Sequence, residues 1–195
     1  MNPQPAAVLE FLHICENLKR TKRTGWINRN VNFPESISDH MHRMAIIALL
    51  LNDPSIDKDR CVKMAVVHDL AESIVGDITP QDGVPKEEKS RREQEAMHKL
   101  CKEILGETPQ SQEIYDLWIE YEKAETREAL FVKDIDKFEM IVQAYEYERS
   151  ENRDLDEFFK STEGKFTHPL VKSWVDELYR KRNEVRSRQE IRDGR

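Results

Sequence analysis

Val66-Val67-His68-Asp69-Leu70-Ala71-Glu72 sets one histidine and two carboxylates into a stretch that otherwise reads as apolar helix. On a single helix His68 and Asp69 project roughly 100° apart, and Glu72 lies one turn beyond them. A borderline nitrogen donor beside a hard oxygen donor can reach one divalent cation. Two further polar intrusions stand elsewhere. His40 shares a helical row with Ile37, Met44, Ile47 and Leu51, and Asp136 has Val132 and Met140 one turn to either side. A lone histidine on an apolar row is usually a hydrogen-bonded core residue, and Asp136 has a ready surface partner in Lys133. An uncompensated carboxylate in apolar surroundings is costly, however. Several such groups on separate apolar helices share one economical explanation, namely that they converge on a metal ion.

Working outward, helical periodicity runs through the whole chain. Val8, Leu9, Phe11, Leu12, Cys15 and Leu18 form a first stripe, closed by Lys19-Arg20-Thr21-Lys22, and a loop follows from Arg23 to Pro34. Ser36 or Ser38 caps a second helix, which Asp53-Pro54 ends. Asp57 caps a third, carrying Met64, Ala65, His68, Ala71 and Glu72 up to the break at Gly76. After the loop Asp77-Ile78-Thr79-Pro80, Pro85 opens a charged helix from about Lys86 to Leu105. Further helices are predicted from about Ser111 to Lys123, after a Thr126 cap with the stripe Phe131, Ile135, Phe138, Val142, Tyr145, and over Leu155 to Phe159 and Pro169 to about Glu190. Strand alternation, internal repeats and linkers are missing from the pattern. The expectation is an all-α, single compact helical domain over residues 1–195, with a locally basic helical tail over about 180–195 that reads as a solvated helix end.

Composition agrees. Of 195 residues, 35% are charged, 38% hydrophobic and only 6 are glycine, which suits a helical domain able to bury roughly 70% of its unfolded surface. A net charge of −7 disfavours a nucleic-acid polyanion as partner but not a small phosphorylated metabolite held by a local cation. Cys15, Cys61 and Cys101, odd in number and without close spacing, read as reduced core or near-core thiols. The longest apolar run, Met44 to Leu51, is too short to span a bilayer, and Met1-Asn2-Pro3-Gln4-Pro5 has no signal-peptide character. The expected setting is cytoplasmic, without a membrane partner.

The pattern His40…His68-Asp69…Asp136 resembles that of the HD-domain phosphohydrolase superfamily. Longer strings are more specific: Asn30-Val31…Pro34-Glu35-Ser36-Ile37-Ser38-Asp39-His40, His68-Asp69-Leu70-Ala71-Glu72…Gly76-Asp77-Ile78, and Phe131-Val132-Lys133-Asp134-Ile135-Asp136-Lys137. They resemble the 5′-deoxynucleotidase branch, from about Leu9 to Phe166, so that the expected domain core spans about 9–166. The resemblance implies an all-α homodimer that hydrolyses deoxyribonucleoside 5′-monophosphates with a divalent cation (cobalt, manganese or magnesium, one or two ions). It implies His40, His68, Asp69 and Asp136 as ligands of the first ion. Glu72 and Asp77 are needed for activity and, with the Ile78 carbonyl, hold a second ion in two-metal members. Glu72 is thus a candidate general base or, with two ions, a ligand. Asp77, Ile78, Thr79 and Pro80 would lie along the substrate. The branch's adjacent Arg-Trp pair is here split as Arg23-Thr24-Gly25-Trp26; Arg23 or Arg29 would take the phosphate, and Trp26 packs on the sugar or base or anchors the loop. An acidic substrate contact is expected at Glu120, with Glu122 as its alternative. The same scaffold also hosts cyclic-nucleotide, alarmone and triphosphate hydrolysis and di-iron oxygenation, and a non-catalytic, metal-stabilised module is the reading from outside enzymology. His13, His42, His98 and His168 fit no part of the constellation and are expected to be structural or exposed.

Overall fold

Helix caps set the boundaries in a computed structural model that describes residues 2–192 and 194. Ten α-helices and no strand are present among the described residues. They are α1 (Pro5–Arg20), α2 (Thr24–Ile27), α3 (Ile37–Leu49), α4 (Lys58–Val67), α5 (Glu72–Val75), α6 (Lys86–His98), α7 (Pro109–Lys123), α8 (Arg127–Glu151), α9 (Asp156–Thr162) and α10 (Pro169–Arg192). A 3-10 turn, Pro80–Asp82, follows α5, and a π-helical turn, Lys99–Ile104, prolongs α6. Ser36, not Ser38, caps α3: its side chain accepts from Asp39 N–H while the Asp39 carboxylate answers Ser36 N–H, a reciprocal box. Asp57 and Thr126 cap α4 and α8 as their sequence positions suggest. Asp193 and Arg195, the end of the basic tail, lie outside the described residues.

The pattern of residues 58–75 misleads at one point. The predicted single helix is two, because backbone bonding shortens at His68. Leu70, Glu72, Ser73 and Ile74 N–H groups donate three residues back, to Val67, Asp69, Leu70 and Ala71, where an α-helix would donate four back. His68 and Asp69 therefore occupy the junction between α4 and α5, not the middle of a helix. The loop expected from Arg23 to Pro34 contains the short α2, and Lys22 pairs with Ser36 in an isolated antiparallel bridge.

One core runs through the molecule. Met44, Ala48, Met64, Ala65, Phe131 and Ile135 are buried where α3, α4 and α8 meet. Val171, Val175 and Leu178 of α10 join it, carrying the core beyond Phe166. Asp134 fastens that helix: its buried carboxylate accepts Thr167 N–H at 2.7 Å, His168 N–H at 2.7 Å and the Thr167 hydroxyl at 3.0 Å. Cys61 and Cys101 are buried, Cys15 is half-buried, and all three are free thiols.

Candidate metal centre and cleft

Three segments distant in sequence meet within the first half of α8. His40 comes from α3, His68 and Asp69 from the α4–α5 junction, and Asp136 from α8. His40 Nε2 lies 3.3 Å from Asp136 Oδ1 and 3.9 Å from Asp69 Oδ2; His68 Nε2 lies 3.1 Å from Asp69 Oδ2. Donor atoms of His40, His68 and Asp136 all fall within 4.8 Å of one another. Ligands about 2.0–2.2 Å from a common ion stand roughly 3–4 Å apart, so these side chains are spaced as a cation requires.

Hydrogen bonding fixes the imidazoles for that task. His68 Nδ1–H donates to the Ala65 carbonyl at 2.9 Å, and His40 Nδ1–H donates to Glu139 Oε2. Each ring's Nε2 is buried and has no hydrogen-bond partner, and Glu72 Oε2 is also buried and unpartnered. Buried polar atoms are seldom left bare, and a ligating histidine typically gives its other N–H to a carboxylate or carbonyl in this way. The residues present fit a divalent cation. Alternatives for the single residues fall away: Lys133 pairs with Glu122 at 3.5 Å, not with Asp136, and Asp136 Oδ2 accepts the Tyr121 hydroxyl at 2.7 Å.

The charges are strongly coupled to burial. Burial pushes the Asp69 carboxyl up, but His68, His40 and Arg23 more than reverse this and hold it at about 2. Asp136 behaves alike: burial opposes its charge, and His40, His68 and Arg23 bring it well below the carboxylate range. Burial and Arg23 disfavour a charged His40, yet Glu139 and Asp136 raise it to about 9. Glu72 goes the other way, raised by burial and by Asp69 and Asp77.

Around this cluster opens a cleft of about 660 Å³. Arg23, with Nη1 3.7 Å from Asp69 Oδ2, enters it, as do Glu72, Asp77, Ile78, Thr79 and Pro80. Burial opposes the Arg23 charge, but Asp69, Asp136 and Asp77 raise its pKa above the usual value. Asp77 is tied to α2: its carboxylate accepts Thr24 N–H, and its carbonyl accepts the Thr24 hydroxyl at 2.8 Å. The Ile78 carbonyl accepts Lys89 Nζ at 2.9 Å. Thr79 and Asp82 form a reciprocal cap that shapes the turn from Pro80. Glu120 is a correction: it is bound by Arg60 and the Thr126 hydroxyl, away from the cleft, and Glu122 is the acidic residue that lines it. Two residues apart on a helix point about 200° apart, so only one can face inward. Trp26 is buried, 1% exposed, with its indole N–H on Glu35 at 2.9 Å; it anchors the loop and walls a neighbouring cavity. Arg29 pairs with Glu157 on the rim of that cavity.

Glu139 was invisible to the sequence pattern. It is fully buried, holding His40 on one oxygen and Arg43 Nε on the other at 2.6 Å. The available signal was the matched pair Arg43 and Glu139, each one turn after His40 and Asp136 respectively. Tyr121 is a second such residue, with Lys133 Nζ 3.4 Å above its ring. His13, His42 and His98 are exposed, and His168 packs edge-on against Phe131.

Comparison with known proteins places this geometry among relatives. The HD domain family matches residues 15–177. A protein of Bos taurus named 5′-deoxynucleotidase HDDC2 is 54% identical over 178 residues, covering 90% of this chain and 86% of its own. The 5′-deoxynucleotidase hdd1 of Schizosaccharomyces pombe is 52% identical over 183 residues, covering 91% of each. Among solved structures, the HD domain-containing protein YGK1 aligns with TM-score 0.73 at 38% identity, covering 93% of this chain and 88% of its own. The PH0347 protein of Pyrococcus horikoshii aligns with TM-score 0.72 at 37% identity over 88% of this chain and 96% of its own.

Proposed function

The chain belongs to the HD domain family, and on that premise we propose that it is a metal-dependent 5′-deoxynucleotidase, a hydrolase that converts deoxyribonucleoside 5′-monophosphates to deoxyribonucleosides and phosphate. One observation carries this: two buried imidazole Nε2 atoms without hydrogen-bond partners converge on Asp69 and Asp136 inside a cleft. The names of the half-identical relatives supply the reaction and the substrate class.

His40, His68, Asp69 and Asp136 would hold a divalent cation, with cobalt, manganese and magnesium the candidates. When bound, such an ion supplies positive charge against phosphoryl oxygens and lowers the pKa of a water toward about 7. Arg23 binds and orients the phosphate from the α2 side, its guanidinium held charged by three aspartates. Glu72 handles the proton of the attacking water, a role worth about 10²–10⁴-fold. The water oxygen bonds to phosphorus, the bond to the 5′-oxygen breaks, and that oxygen leaves with its electron pair and takes up a proton. If a second ion is held, Glu72, Asp77 and the Ile78 carbonyl are its holders; the bare Glu72 Oε2 supports this, and Lys89 would have to release Ile78. Asp77, Ile78, Thr79 and Pro80 line the substrate's path. We also read residues 1–195 as one HD-type domain working as a cytoplasmic homodimer; among the described residues no helix is long and apolar enough to cross a membrane.

Phosphate release from dAMP, AMP, ATP and cyclic AMP with each metal tests the assignment. dAMP should be the best substrate, because an added 2′-hydroxyl packed without a partner costs about 1–3 kcal/mol. Equal rates on AMP and dAMP would remove the deoxyribose preference. No release from either monophosphate would remove the nucleotidase assignment.

A further inference from the structure

The cleft continues past the metal-ligating cluster. Across Arg23, Asp77, Thr79, Pro80 and Met140, which line both spaces, it opens into a second cavity of about 310 Å³ bounded by α2, the 3-10 turn and α9. The inner wall of this cavity is aromatic. Phe158 of α9 lies against Trp26 with ring centroids 4.4 Å apart, and Trp26 is itself fixed by Glu35 and by the edge of Tyr147 at 5.3 Å. The rim is polar. Arg29 donates to Gln81 Oε1 at 3.2 Å and to Glu157 Oε2 at 2.6 Å, and Asn28 donates to the same Gln81 oxygen at 3.2 Å.

We propose, building on the nucleotidase assignment, that this second cavity is a nucleobase subsite: the base lies against Phe158, and Gln81, Glu157 and Arg29 read its edge. The two lobes adjoin in the order of the ligand's own parts. A mononucleotide carries a charged phosphate and a flat aromatic base on either side of one sugar. Here a charged lobe and an aromatic lobe stand on either side of a short shared wall, where Arg23 would hold the phosphate and Asp77 and Met140 would face the sugar. The volume lies at the small end of ligand pockets, suited to a ring system and not to a polymer. Any base has a π face, so the aromatic wall gives affinity without discrimination. Discrimination falls to the rim, where an amide, a carboxylate and a guanidinium offer both donors and acceptors. Since Arg29 joins Gln81 to Glu157, a base edge that engages one of them reorders the other two. These contacts lie outside the lobe that holds the metal-ligating residues. They act alike in ground and transition states, so they lower KM and leave kcat alone.

The test compares dAMP with 2-deoxyribose 5-phosphate, which carries the same phosphate and sugar but no base, on the metal-loaded wild type, Phe158→Ala and Gln81→Ala. Phe158→Ala should lose about tenfold in kcat/KM on dAMP, mainly through KM, which corresponds to about 1.4 kcal/mol of stacking. Its loss on 2-deoxyribose 5-phosphate should be at least five times smaller. Equal losses on the two substrates would overturn the subsite. Gln81 is exposed and its side chain bonds only to Asn28 and Arg29 among the described residues, so Gln81→Ala keeps the test alive if Phe158→Ala folds poorly. Gln81→Ala should change the order of preference among dAMP, dGMP, dCMP and dTMP, and an unchanged order would overturn the edge-reading role. A wild type inactive on every deoxynucleotide would instead sink the nucleotidase assignment, a different result from an active enzyme indifferent to Phe158 and Gln81.

Discussion

His40 shows how little a residue says alone and how much its partners add. Its place on the row Ile37, Met44, Ile47 marks it as inward-facing, but only the buried Glu139 carboxylate reveals why its Nε2 is left bare. Glu139→Gln keeps the shape and removes the charge that orients the ring. Affinity for Mn²⁺ or Co²⁺, measured by equilibrium dialysis, should fall about 10–100-fold, and an unchanged affinity would deny Glu139 that role. Arg43 keeps Glu146 at 2.7 Å and Gln143 at 2.7 Å, so the fold should survive. Glu72→Gln probes a different step: bound metal should persist while kcat falls about 10²–10⁴-fold. Near wild-type turnover would exclude Glu72 from proton handling. His40, His68, Asp69 and Asp136 were legible because a polar group on an apolar row is conspicuous. Glu139 was not, since an acid two residues after Lys137 in a charged chain reads as a surface residue until the facing helix is known. Glu120 and Glu122 were indistinguishable because Leu117, Trp118, Ile119 and Tyr121 put apolar neighbours on several sides of α7 near its end, so no single inward face is marked.

Helices were legible where chemistry marks their ends. Ser36, Asp57 and Thr126 each offer a side-chain oxygen to a backbone N–H two or three residues on, and each starts a helix. The break after Val67 was not legible, because no Gly or Pro interrupts residues 66–75 and helix-forming residues stand on both sides. The turn there is decided by bonding in three dimensions, and α2 is too short to show a period at all. The attachment of α10 is a similar case. A buried aspartate on α8 accepts two backbone N–H groups and a hydroxyl from the start of another helix 33 and 34 residues away. Asp134→Ala leaves those donors unmet at about 1–3 kcal/mol. Thermal unfolding should shift down by about 2–4 °C per kcal/mol lost, with metal content intact. Loss of metal along with stability would mean that α8 moves as a whole and that Asp134 is not simply a clasp for α10.

Across the whole molecule, the candidate centre is also a tie. His40, the His68-Asp69 junction and Asp136 lie on α3, between α4 and α5, and on α8, the elements that share the core of Met44, Met64 and Ile135. Unfolding separates them by tens of residues, so a cation held by all three binds the folded chain and has no comparable site on the unfolded one. By mass action a ligand at 100 times its Kd adds about 2.7 kcal/mol of stability, which for a chain of this size is a rise of about 5–10 °C in Tm. Mn²⁺ added to chelator-treated protein should therefore raise Tm by that amount in scanning calorimetry, saturably, and chelator should reverse it. His40→Ala and Asp136→Ala should flatten the response, since each removes a donor from one of the tied elements. If both variants respond to Mn²⁺ as the wild type does, the ion sits elsewhere and the four residues are not its ligands. This measurement needs no substrate, so it judges the centre independently of the reaction assigned to it.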